Sequence, residues 1–127
     1  MKKREKICIM GGDFDPLSQD DINRLKIAKE SGDWLIVGLN SDTRISARNG
    51  VVYIPYEHRC FILSNLKYVD EVIINDGQVN DDRYLLIKVK NFYPGANFTY
   101  FSDGNIEEKP ESKVTGVKFA TFNDDKT

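Results

Sequence analysis

The chain has 127 residues, a length that fits one domain with a real hydrophobic core, and its 40% hydrophobic and 30% charged residues make an ordinary globular composition. A formal net charge of −2 argues against non-specific nucleic-acid binding, which calls for a basic excess, and no apolar stretch is long enough to span a bilayer. The start, MKKREK followed by ICIM, lacks the apolar length and cleavage site of a signal peptide, and Cys8 and Cys60 fall in apolar segments without metal spacing, so they read as reduced core thiols of a cytoplasmic protein.

Lys6–Met10 is a short apolar run ending at Gly11-Gly12, read as a first strand and a tight turn. From Gln19 to Ser31, Ile22, Leu25 and Ala28 recur at helical spacing, with Gly32 as a stop. The nearly continuous apolar run WLIVGL, Trp34–Leu39, suits a central parallel strand covered on both faces. Trp34 itself reads as core or as a dimer contact. Asn40–Val52 is polar, carries Arg44, Arg48 and an Asn-Gly turn signal, and reads as a loop. Pro55 suits the first position of a helix, with Ile62, Leu63 and Leu66 as its inward stripe. Val69–Asn75 is expected as a third strand, Asp81–Phe92 as a helix ending before Pro94, Phe98–Phe101 as a fourth strand and Val117–Phe122 as a fifth. Gly104–Ser112 is charged and reads as a loop or a short helix, and no repeat, low-complexity tract or linker interrupts the chain.

Alternating strands and helices predict a single small α/β domain, a doubly wound, Rossmann-like parallel sheet. Right-handed crossovers in such a sheet bring ligands to the carboxyl ends of the strands, near the reversal of strand order. Met10–Leu17, Asn40–Gly50 and Ser102–Asn105 all fall at that edge.

The start of the first helix has its own chemistry. Ser18-Gln19-Asp20-Asp21 is an S-x-x-D variant of the capping box, in which Ser18 accepts from the Asp21 amide and Asp21 reaches back to Ser18. Acidic residues in a first turn also suit the helix dipole. The alternative is that the acids of this stretch, with Asp20 and Asp21 as the candidate ligands, hold a divalent cation such as Mg²⁺. Asp15, before Pro16, reads as an organiser of its loop. Arg59, near the start of a helix, reads as a solvated residue or as an ion-pair partner of Glu57 or Asp70. Arg44 and Arg48 read as a solvated basic loop. His58 has no nucleophile pattern around it to serve as a general base.

Three segments, GDFDPL (Gly12–Leu17), WLIVGLNSD (Trp34–Asp42) and YEHRCFILSNLKYVDEVI (Tyr56–Ile73), resemble the cytidylyltransferase-like nucleotidyltransferases. The resemblance runs in order from about Ile7 to Val72. It implies a Rossmann-like domain, a homodimer, and transfer of a nucleotidyl group from CTP or another nucleoside triphosphate to a phosphorylated acceptor with Mg²⁺. It implies nucleotide contacts from Gly12, Asp13, Phe14, Asp15, Asn40 and Arg59. The family's loop carries two histidines, and Ser18 and Asp21 stand at their positions, with Asp20 at a glycine. A basic residue on the loop after the fourth strand is also expected of the family, and Phe101-Ser102-Asp103-Gly104 holds no lysine. The family's last Ser/Thr-rich turn and helix would begin near Phe122–Thr127, with Thr127 matching the first hydroxyl and the helix lacking. Three functions follow: a degenerate transferase kept as a binding or structural module, a working transferase with altered chemistry, or a protein-interaction domain using the family's dimer surface.

Overall fold

The computed structural model describes residues 5–103 and 106–122. Five strands, β1 (Lys6–Gly12), β2 (Trp34–Asn40), β3 (Glu71–Asn75), β4 (Asn97–Ser102) and β5 (Val117–Thr121), form one parallel sheet in the order β3-β2-β1-β4-β5. Four helices accompany them: α1 (Gln19–Glu30), α2 (Asp42–Asn49), α3 (Tyr56–Ser64) and α4 (Arg83–Phe92). Two 3₁₀ turns, Ile106–Glu108 and Pro110–Lys113, lie between β4 and β5. This is the doubly wound, Rossmann-like architecture expected from the alternation of elements. Strand order reverses between β1 and β4, so the ligand crevice of the fold lies at their carboxyl ends.

The two faces follow from the two-residue period of the strands. Cys8 and Met10 of β1 with Leu35, Val37 and Leu39 of β2 pack on Leu25 and Ala28 of α1 and Leu63 of α3. Ile7 and Ile9 of β1 with Ile36 of β2, Ile73 and Phe98 pack on Leu85, Leu86 and Val89 of α4. Burial pushes the Cys8 thiol up to about 11, Lys29 opposing and Asp33 adding to the shift, so it remains a protonated core group. Trp34 is partly buried on the α4 face, its indole donating to Glu71 Oε1 at 3.0 Å.

Two expectations are corrected. Asn40–Val52 contains α2 rather than a loop. Ser41 caps it, its hydroxyl accepting from the Arg44 amide at 3.0 Å, and Gly50 ends it at φ 81°, so the Asn-Gly signal marks a helix terminus. Ile62 does not face inward with Leu63. It is exposed, because α3 is covered along a narrow line only. Of the segment expected to hold the family's last Ser/Thr turn, only Phe122 is described, and Thr127 lies outside the described residues.

Close helix–sheet packing depends on Gly38, since a Cβ there would stand 2.3 Å from Leu85 Cδ2. Gly38→Ala is expected to destabilise the domain by about 1–3 kcal/mol through overpacking. A urea unfolding curve with an unchanged slope and a lowered midpoint is the expected result.

Candidate functional site at the strand ends

Two adjoining clefts open at the carboxyl edge of β1 and share Gly11, Gly12, Tyr100 and Lys109. The larger, about 490 Å³, lies toward β2, with Asn40, Arg44, Arg48, Asp82 and Glu111 in its wall. The smaller, about 290 Å³, lies toward α1 and β5, with Asp13, Phe14, Asp21, Arg24, Asp103 and Phe122.

The β1–α1 loop is shaped by local contacts. Phe14 takes φ 50°, a left-handed conformation costly for a residue with a side chain, and its ring is buried in the core. Gly12 makes room for that ring, because a Cβ there would lie 2.9 Å from it. Asp15 accepts from the backbone amides of Tyr53 (2.9 Å) and Ile54 (2.6 Å), tying the loop to the segment before α3. Asp13 accepts from Asn40 Nδ2 at 2.6 Å and pairs with Arg48.

The start of α1 carries the full capping box. Ser18 Oγ accepts from the Asp21 amide at 3.1 Å, and Asp21 Oδ2 accepts from the Ser18 amide at 2.9 Å. Asp20 is exposed in the first turn. Among the described residues, no group of three acid, cysteine or histidine side chains is placed to hold a metal ion.

Arg59 is 1% exposed and lines neither cleft. Its guanidinium donates to the carbonyls of Ile54 (2.7 Å), Asp13 (2.9 Å) and Asn40 (2.8 Å) and to Asp42 Oδ1 (2.6 Å). Neither Glu57 nor Asp70 is its partner. Asp70 accepts instead from Lys29 and the Leu35 amide. Arginine carries five donors in a rigid fork, which is why one side chain can hold three loop carbonyls.

Arg44 is also buried, against the expectation of a solvated loop. It donates to Asn40, to the carbonyls of Gln78 and Asp81, and to Asp82 Oδ1 at 2.9 Å. Asp82 in turn accepts from Asn75 (3.0 Å) and from Tyr100 Oη (2.6 Å). Burial first, then the negative charge of Asp82, drives the Tyr100 phenol far above its ordinary range, so it stays protonated and donates to Asp82. Hydrogen bonds from Arg83 hold the nearby Asp81 carboxyl below its ordinary value.

The residue that sequence reasoning missed is Lys109. The stretch Phe101–Asp103 holds no lysine, but the 3₁₀ turns fold Lys109 back so that its ammonium donates to Ser102 Oγ at 2.7 Å and to the Asp103 carbonyl at 2.5 Å. Its only signal in the sequence is an isolated lysine before Pro110, inside a charged segment that reads as a loop or a short helix. His58, by contrast, is exposed on α3, away from both clefts.

A parallel sheet with polar loops converging at its switch point defines a Rossmann-like nucleotide-fold domain. The chain belongs to the cytidylyltransferase-like family of nucleotidyltransferases, whose model matches residues 9–122. It is 41% identical over 68 residues to glycerol-3-phosphate cytidylyltransferase of Bacillus subtilis, covering 54% of this chain and 53% of that protein. It is 40% identical over 119 residues to the bifunctional protein HldE of Sulfurimonas denitrificans, covering 91% of this chain and 22% of that protein. The crystal structure of the lipopolysaccharide core biosynthesis protein from Thermoplasma volcanium superposes with a TM-score of 0.70 at 27% identity, covering 91% of this chain and 93% of that one. The chain spans about half the length, or less, of the first curated relatives it matches.

Replacing Arg59 by Met should leave the Ile54, Asp13 and Asn40 carbonyls without their donor. At about 1–3 kcal/mol for each buried group left unpaired, the loss should be roughly 3 kcal/mol or more. A thermal melt of Arg59→Met checks this, with Arg59→Lys expected to recover only part.

Proposed function

We propose that this domain keeps the nucleotide-binding frame of its family while transferring little or no nucleotidyl group, and serves as a binding or structural module. The observation that carries the reading is the capping box at the start of α1. A helix N-terminus receives phosphate through free amides. Here the Ser18 and Asp21 amides are already engaged by the chain's own oxygens.

By the family resemblance, two donors that would stabilise transferring phosphate are replaced by a serine and a carboxylate. One such donor is worth two to three orders of magnitude in rate. A carboxylate facing a phosphate adds repulsion of about 4 kcal/mol at ~4 Å and an effective dielectric of ~20. That corresponds to roughly a thousandfold in affinity. The candidate nucleotide contacts under this reading are Gly12, Asp13, Phe14 and Asn40 at the cleft, with Asp15 and Arg59 acting through the loops they hold.

Among the described residues, Asp20 and Asp21 have no third acid placed with them to hold Mg²⁺, which the family resemblance implies. Asp21 is tied to Ser18, and Asp13 to Asn40 and Arg48. No step is therefore assigned to it.

Lys109 favours a second reading, an active transferase acting on CTP or another nucleoside triphosphate and a phosphorylated small acceptor. Its ammonium supplies a cation beside the loop after β4. Exposed Phe61 and Ile62 on α3 favour an association role and the homodimer. Light scattering of the purified chain at tens of micromolar should report twice the monomer mass, and a monomer at that concentration would remove the homodimer.

Pyrophosphate release from CTP with glycerol 3-phosphate and Mg²⁺ should not rise above a blank. Sustained release would establish the second reading. Asp21→Asn keeps an acceptor for the Ser18 amide and removes only the first-turn charge, so it should lower stability by about 0.3–1 kcal/mol without changing a Mg²⁺-dependent signal. Loss of Mg²⁺-dependent CTP binding in that variant would reverse the assignment of Asp21.

A further inference from the structure

The smaller cleft contains a cation that the family resemblance leaves without a role. Arg24 lies three residues beyond Asp21 on α1, and both line this cleft. Its guanidinium carbon lies 5.6 Å from the centre of the Phe122 ring, which packs on Phe101 at 5.3 Å. Its Nη1 stands 3.4 Å from Asp103 Oδ2, a distance of loose contact rather than a short charge-assisted bond. The side chain remains 40% exposed and that of Asp103 59% exposed. An aromatic face thus fixes the guanidinium on one side and leaves its fork accessible on the other.

Lys109 approaches the same residue from the far wall, donating to the Asp103 carbonyl. Two cations therefore converge on Asp103, one at its carboxylate and one at its backbone. An exposed single carboxylate holds an arginine weakly. A phosphate carries more charge and accepts from arginine in a bidentate fashion.

We propose that Arg24 and Asp103 form an exchangeable anion latch. A phosphate of a bound nucleotide displaces the Asp103 carboxylate from Arg24 and binds between Arg24 and Lys109, instead of at the capped N-terminus of α1. This rests on the reading that the clefts bind a nucleotide. Asp21 lines the same cleft one turn before Arg24, with its carboxylate accepting from the Ser18 amide.

The test is calorimetric titration of the full chain with CTP and, separately, with inorganic tripolyphosphate at low salt. Arg24→Gln should weaken both by about tenfold or more, the worth of a hydrogen bond to a charged group, and Arg24→Lys should recover part of the loss. Asp103→Asn should strengthen both several-fold, because it removes the internal competitor and keeps the side chain's size. A gain of affinity is a readout that structural damage does not imitate, and both positions are exposed enough for the variants to fold. Equal response to the two probes assigns the effect to phosphate and not to the base. Wild-type binding of CTP that is unchanged in Arg24→Gln, or weakened in Asp103→Asn, overturns the latch and leaves nucleotide binding standing. A wild-type chain that binds neither probe overturns the latch together with nucleotide binding.

Discussion

The loops at the strand ends are held by one guanidinium that has almost no water around it. Arg59 reaches from α3 under the β1–α1 loop, the end of β2 and the segment before its own helix, and gives each a donor. Asp15 completes the frame from the other direction by accepting the amides of Tyr53 and Ile54. Asp13, Asn40 and the backbone of Gly12 take their places at the cleft because these bonds fix the chain on either side of them. A buried polar group left unpaired is costly, so the arrangement is close to all-or-none.

Above this frame, the polar groups of the clefts are largely paired with one another. Asp13 pairs with Arg48, Asp82 with Arg44, Asp103 with Arg24, and Asp21 with the amide of Ser18. Glu111 is an exception in part: one of its oxygens accepts from the Asp82 amide, while Oε1 is buried without a partner among the described residues. A ligand entering such a site gains only the difference between its own contacts and those it displaces. The Coulomb attraction of each cation for a phosphate is therefore an upper bound on what binding can gain.

Much of this fold can be read from the chain itself because its strands and helices obey their periods. The alternation Ile7, Ile9 against Cys8, Met10 sorts one strand onto two helical layers, and S-x-x-D forecasts the cap of α1 from four letters. The failures have equally local causes. Helix α2 is short and polar, so no apolar stripe announces it, and its only markers are Ser41 and Gly50. Arg44 and Arg59 look like surface charges in sequence, because burial of an arginine depends on carbonyls and carboxylates from elements up to 46 residues away. Lys109 arrives at the site through the path of two 3₁₀ turns that no propensity encodes strongly.

Burial separates the charged pairs into two kinds. Arg59 and Arg44 have side chains 0% and 6% exposed, and their acceptors are mostly backbone carbonyls or, for Arg44, the largely covered Asp82. Moving such a group costs desolvation that no small ligand returns, so these arginines belong to the architecture. Arg48 and Arg24 have side chains 34% and 40% exposed, and each faces a carboxylate that water also reaches. Exposed pairs of this kind carry a small net energy and re-form against another anion at little cost. Capacity for ligand exchange therefore resides in the exposed arginines at the mouths of the two clefts, with Lys109 on the wall they share. The buried Arg59 and Arg44 set where those mouths are.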